Sequence, residues 1–164
     1  MKKFKFFTLL TIGFVLCALA FAACAPSPKV FEKSGIKITA TSDFYEKDVM
    51  TQTIYLESRD KIITGLKEAP NEAFPISKTL REYTNLTLQV NNLPEAVITP
   101  YNEDGVTFEY FTYERTVSEK DFKYLGVTKK SSAYFYLFNF ACETKNFDKF
   151  KDQFLDWAAL IEAE

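Results

Sequence analysis

Three kinds of side chain in this sequence could do chemistry: thiols, carboxylates and phenols. Histidine is absent from all 164 residues. That removes the usual general base and the commonest metal ligand, and with them every Ser-His-Asp or Cys-His constellation. No Gly-rich phosphate loop, paired-cysteine metal site or nucleophile elbow occurs. Among the carboxylates, Asn102-Glu103-Asp104-Gly105 has the hard oxygens of half a calcium site. It lacks the alternate spacing of a calcium loop, and a solvated type I or I′ turn accounts for it. Glu109 and Glu114 are five apart in an aromatic strand, so they project to opposite faces and form no glycosidase-like pair. Pairing with Lys123 or Lys129 on a neighbouring strand is their expected role. Lys129-Lys130 reads as a solvated hairpin turn. Tyr110, Tyr113, Tyr124, Tyr134 and Tyr136 cluster in adjoining strands. Phenols with an apolar body and a polar tip favour binding surfaces, so these five are the candidate binding residues. No catalytic, metal or cofactor site is expected.

Cys24 is the remaining reactive side chain. It follows a basic start (Lys2, Lys3, Lys5), an apolar run from Phe6 to Ala23, and two small alanines. A loose Ala25-Pro26-Ser27-Pro28 segment comes after it. Residues 1–23 with Cys24 resemble a bacterial lipoprotein signal peptide, although Phe21 stands where an aliphatic residue is usual. The resemblance implies cleavage before Cys24 and lipidation of its thiol. Two rivals fit the residues: a secretory signal cut at Ala20-Phe21-Ala22, or an uncut membrane anchor from a run barely near the ~20 residues a span needs. Each buried methylene contributes ~0.8 kcal/mol and stable anchoring needs two chains, which a diacylglyceryl cysteine supplies. The expected location is the extracytoplasmic face of the cell membrane, with residues 24–34 as a flexible leash and 35–164 as one globular domain.

Removing residues 1–23, which hold three of the 20 basic side chains, leaves 141 residues with 17 basic against 22 acidic groups, a net charge of −5. That length suits a single core. An acidic domain excludes nucleic acid as the expected partner. Only Cys24 and Cys142 remain, so a lipidated Cys24 leaves no disulfide to form, and Cys142 reads as a small buried apolar residue.

The elements that would position these groups follow from periodicity. Ile36–Thr39 alternates as a first strand, and Thr41–Phe44 ends it in a short helical turn. Thr53–Glu57 and Lys61–Lys67 form a hairpin about Ser58-Arg59-Asp60, with Gly65 at a bulge. A helix runs from Ser77 or Thr79 to about Asn91, Thr79 and Glu82 fitting a capping box. Val97–Thr99, Val106–Arg115, Phe122–Thr128 and Ser132–Glu143 are strands. The last is apolar on both faces, which places it centrally with cover on both sides. Asn146 caps a terminal helix whose Phe147, Phe150, Phe154, Trp157, Ala158 and Ile161 share one stripe.

The segments Ile36–Phe44, Tyr110–Tyr113, Tyr124–Val127, Phe138–Cys142, Phe147–Phe150 and Phe154–Ala158 together resemble the PsbP-like lipoproteins of bacteria, a group including DcrB-type envelope proteins. The resemblance covers residues 35–163. It implies an α+β fold, a twisted and mainly antiparallel sheet of about six to seven strands with helices packed on both faces. It implies an assembly or interaction role more than an enzymatic one. The metal sites of photosynthetic members include histidines, which this chain lacks, so no functional residue carries over. The expected role is a non-catalytic binding or assembly module of the cell envelope, partnered by an unknown envelope protein or small ligand. The alternatives are a carrier or sensor of an amphipathic ligand and a carboxylate- or metal-dependent envelope enzyme.

Overall fold

A computed structural model describes residues 26–164. The segment 1–23 and Cys24 lie outside the described residues. Seven strands form one antiparallel sheet in the order β3-β4-β5-β9-β8-β7-β6. They are β3 (Tyr45–Glu46), β4 (Ile54–Glu57), β5 (Lys61–Glu68), β6 (Thr99–Glu103), β7 (Val106–Val117), β8 (Lys120–Lys130) and β9 (Phe135–Glu143). A second, three-stranded sheet holds β1 (Pro28–Lys33), β2 (Ile36–Thr41) and β10 (Glu162–Ala163). Two α-helices complete the chain, α1 (Leu80–Val90) and α2 (Phe147–Ala159).

The core lies between the large sheet, helix α2 and strand β2. Phe154 of α2 stacks on Phe140 of β9 at 5.7 Å, and Ile36, Ile38, Val127, Phe138 and Trp157 close around them. Each buried aliphatic or Phe side chain stabilises by roughly 1.5–3 kcal/mol, so the α2 stripe alone anchors the C-terminus. Helix α1 begins with the expected capping box: the Glu82 amide donates to Thr79 Oγ1 (3.1 Å) and the Thr79 amide to the Glu82 carboxylate (2.8 Å). The Lys78 ammonium, bonded to the Glu82 carboxylate at 2.7 Å, and then the Thr79 bonds hold this carboxyl down to about 2.

Several expectations are corrected. Residues 28–33, expected to belong to a flexible leash, are instead a strand. Pro28 takes its first position, where the missing N–H costs nothing, and Phe31 and Ile38 face each other in the β1–β2 ladder. The Thr41–Phe44 segment turns without becoming helical, since Phe44 must reach the core to meet Trp157 edge-on at 5.5 Å. Gly65 sits in an unbroken register; a Cβ there would lie 2.8 Å from Ile54 Cγ2 and from Phe138 Cε1, so it provides close approach, not a bulge. The strand expected at Val97–Thr99 instead begins at Thr99 and runs to Glu103. Asn146 makes no side-chain cap; its helical backbone continues a 3-10 turn (Thr144–Asn146) straight into α2. No helix among the described residues is long and apolar enough to cross a membrane.

Candidate binding surface

Cross-strand register assigns every strand residue to one side of the large sheet. Leu125, Phe140 and Ile63 form one row, and Phe154 of α2 touches it. Thr128, Glu109 and Leu137 lie on the other side. There helix α1 meets the sheet: Thr84 and Thr128 hydroxyls are 2.6 Å apart, and Arg81 Nε reaches Glu109 Oε1 at 2.8 Å. Helix α1 covers only that end. Beyond it the same side presents Tyr113, Tyr124, Ala141, Ile62, Glu57 and Tyr45 in one row across six strands. Tyr113, Tyr124, Ile62, Tyr55 and Phe122 are half-buried there, and Tyr45 is 48% exposed. The expectation that β9 is covered on both faces holds only in part. On the α2 side Phe138 and Phe140 are sealed; on the α1 side Phe135, stacked under Tyr83 at 4.7 Å, and Ala141 are buried, but Leu137 and Asn139 are only half-buried.

The centre of this surface is a stacked pair. The rings of Tyr113 and Tyr124 lie 4.7 Å apart at 7°, and the Tyr113 hydroxyl donates to Asn139 Oδ1 at 3.0 Å. Gly126 makes the arrangement possible: a Cβ there would lie 2.5 Å from the Phe111 ring. Phe111 lies across this gap, and Tyr113 stacks beside it at 6.0 Å. Burial pushes the Tyr113 phenol well above its ordinary range, and that of Tyr124 upward as well, so both remain donors at neutral pH. Aromatic bodies with fixed polar tips suit recognition of another protein.

The five sequence-selected tyrosines do not form one surface. Tyr113 and Tyr124 sit on the α1 side. Tyr110 and Tyr136 face the α2 side, where Tyr136 is fully buried beside Phe138 and Tyr110 packs against the core, as does Tyr134. Alternation decides this: residues of odd separation along a strand diverge. Tyr55, Ile62 and Phe122 belong to the open surface and were missed, because their strands join it only through tertiary pairing.

The charged groups also move. Glu114 pairs with Lys123 as expected, at 3.5 Å. Glu109 does not pair with a strand lysine; it is buried and takes Arg81 from helix α1. Lys129 is no solvated turn residue. Only 9% exposed, its ammonium donates to the Ile161 carbonyl at 2.9 Å and lies 5.5 Å from the Phe108 ring, and burial lowers it to about 8. Lys130 is exposed and reaches the Lys78 carbonyl. At Asn102–Gly105 the first two residues are strand, and Asp104 and Gly105 (φ 50° and 78°) form the hairpin turn. Among the described residues, no group of three or more Asp, Glu, His or Cys is placed to hold a metal. Cys142 is fully buried, and desolvation raises its thiol to about 11, which leaves it unreactive.

No family model and no curated protein sequence matches the chain. Its likeness is to solved structures. Cyanobacterial PsbP (CyanoP) from Synechocystis sp. PCC 6803 aligns with a TM-score of 0.62 at 13% identity, over 87% of this chain and 95% of that one. A crystal structure from Bacteroides thetaiotaomicron aligns with a TM-score of 0.58 at 10% identity, over 85% of this chain but only 49% of that one. At such identities the likeness concerns architecture alone. Residues 26–164 have a PsbP-like fold, mostly antiparallel sheet with two helices.

Proposed function

We propose that this chain is a non-catalytic binding module of the cell envelope, a PsbP-like α/β/α sandwich related to the DcrB-type proteins and held at the extracytoplasmic face of a membrane by lipid on Cys24. The observation that carries the binding role is the open α1-side surface, where half-buried aromatic residues are organised by stacking and hydrogen bonding but not covered. The ordered domain begins within a few residues of Cys24, since the Ser42 amide already donates to the Ser27 carbonyl at 2.8 Å. Three extended residues span roughly 10 Å, so the domain would ride close to the bilayer instead of swinging on a long tether.

Two measurements test this. Mass spectrometry of the native protein should find a diacylglyceryl adduct at Cys24, and Cys24→Ser should release the protein from the membrane fraction. An unmodified Cys24 in membrane-bound protein overturns the anchor. A photo-crosslinker at Tyr124 in living cells should trap a defined partner that a Phe122→Lys change, which sets a cation opposite Glu143 in the ladder, abolishes with only a small change in thermal stability. Crosslinking no stronger than from an exposed α2 position such as Asp152 overturns the surface.

A further inference from the structure

Strand β7 is longer than its outer neighbour. Strand β6 pairs with β7 only from Val106 to Tyr110, whereas β8 pairs along the other edge up to Val117. The remainder of β7, from Phe111 onward, has an open outer edge. Two tight turns show which backbone groups face outward. The hairpins Glu103↔Val106 and Val117↔Lys120 each close over two residues with positive φ: Asp104 and Gly105, then Ser118 and Glu119. In such hairpins the closing residues exchange both backbone hydrogen bonds. Even-numbered residues of β7 therefore point N–H and C=O toward β6, and odd-numbered residues toward β8; the two turns agree. Past Tyr110, the groups of Thr112, Glu114 and Thr116 point outward, and none of them has a backbone partner among the described residues.

Resting on the reading of this domain as a binding module, we propose that the outer edge of β7 from Thr112 to Val117 receives an extended strand of a partner protein, with a basic residue opposite Glu114. Three outward residues offer six backbone groups, the basis of strand addition. At its inner end the edge opens into a groove of 270 Å³ bounded by Leu93, Pro94, Ala96, Thr112 and Tyr113, which can take an apolar side chain. Tyr113 thus belongs to both the groove and the stacked pair, joining the edge to the aromatic surface. Glu114 is 57% exposed in its side chain and only loosely paired with Lys123, so it sets the charge preference of the incoming strand.

A second copy of this chain is a poorer occupant. Over residues 112–117, the two registers of antiparallel self-pairing with the longest overlap set Glu114 against Glu114 or Arg115 against Arg115, and like charges directly opposite destabilise. The edge is also placed for a partner beyond the membrane. Strand β1 is tied to the opposite border of the sheet, with Lys33 bonded to Glu46 (3.0 Å) and Asp48 (2.7 Å). Strand β7 lies five strand spacings from β3, roughly 24 Å.

The test is titration of the isotope-labelled full chain, in detergent micelles, with two capped peptides, Thr-Val-Lys-Val-Thr and Thr-Val-Glu-Val-Thr. The lysine peptide should bind about two- to fivefold tighter, the scale of one cross-strand charge pair, and Glu114→Lys should invert the order. Binding should slow amide exchange at Thr112, Glu114 and Thr116, with little change at Tyr113 and Arg115, which already bond to β8. The proposal is overturned by absence of saturable binding at millimolar peptide, by protection mapping elsewhere, or by Glu114 and Thr116 amides that are already protected in a peptide-free dimer. The exchange pattern does not depend on lipid at Cys24, so failure of the anchor and failure of the edge are distinguishable.

Discussion

The two sides of the large sheet use aromatic residues differently. On the α2 side, Phe138, Phe140 and Phe154 are fully buried within one hydrophobic cluster. On the α1 side, Tyr113, Tyr124, Tyr55 and Phe122 are half-buried, and the Tyr113 hydroxyl is fixed by its bond to Asn139. The helices explain the contrast. Helix α2 presents a continuous Phe-Phe-Phe-Trp stripe over the sheet centre, whereas the buried residues of α1 are Tyr83, Thr84, Thr87 and Leu88, and they cover one end. Side chains that maximise burial define the fold; side chains that retain a polar group keep a surface compatible with both water and a partner.

The largest expected effect breaks the contrast most directly. Phe140→Ala should cost about 3–5 kcal/mol in chemical denaturation, the range for a deleted core phenylalanine. Tyr124→Ala, half-exposed, should cost less than half as much. Equal losses would mean that the α1 side is a second core and not a surface.

Gly126→Ala comes next. The added methyl must displace the Phe111 ring, with an expected cost of roughly 1–3 kcal/mol, the scale of overpacking. The stacking of Tyr113 on Tyr124 should loosen with it, readable in near-ultraviolet dichroism. A silent Gly126→Ala would show that the open surface is not organised by its neighbours.

These contrasts were unevenly legible in the sequence. The α2 stripe was readable because Phe147, Phe150, Phe154, Trp157 and Ala158 recur at helical spacing within one element. The Thr79–Glu82 box and the β4–β5 hairpin were equally local. What escaped depended on distant pairing. Pro28–Lys33 looks like leash because its proline and charges suit a linker, and only the β2 partner makes it a strand. The β7–β8 hairpin hides its turn: Ser118-Glu119 lacks the Asn-Gly signature, and the roughly 1 kcal/mol cost of each left-handed residue is offset by a nine-pair ladder. The open surface could not be read at all, since Tyr55, Ile62, Phe122 and Tyr113 meet only once the strand order is set. Lys129 misled for a related reason. A lysine pair before Ser131 resembles a turn, but alternation drives the first toward the core and leaves the second exposed.

Lys129 gives a pH-dependent test at the rim of the closed side. Its folded pKa, about 8, lies below the ordinary 10.5, so between these values the unfolded chain holds more protons. Lys129's contribution to stability should therefore rise with pH through this window and be lost as pH falls to 8. Its share from pH 8 to 9.5 is roughly 1–2 kcal/mol. The Cys142 thiol, raised by burial from 9.0 to about 11, acts oppositely in the same window, because the folded state then holds the extra proton. The test is therefore a difference: Lys129→Met should make the slope of stability against pH more negative than in the parent protein, and an unchanged slope would assign it to other groups. Tyrosines held protonated in the folded state add to the Cys142 effect only above about pH 10.

Tyr113→Phe is the smallest change in the free protein and the sharpest probe of the open side. It removes one hydrogen bond to Asn139 and keeps the ring. Because Asn139 is only half-buried, water can take the place of the phenol, and the stability loss should stay below about 1 kcal/mol. A partner seated against Tyr113 would expel that water and leave the Asn139 oxygen unsatisfied, at a cost of about 1–3 kcal/mol in the complex alone. Partner affinity should then fall by roughly five- to a hundredfold while the melting temperature hardly moves. The opposite pattern, a lower melting temperature with unaltered affinity, would make the Tyr113–Asn139 bond a strut of the fold and return the open side to the role of incompletely covered core.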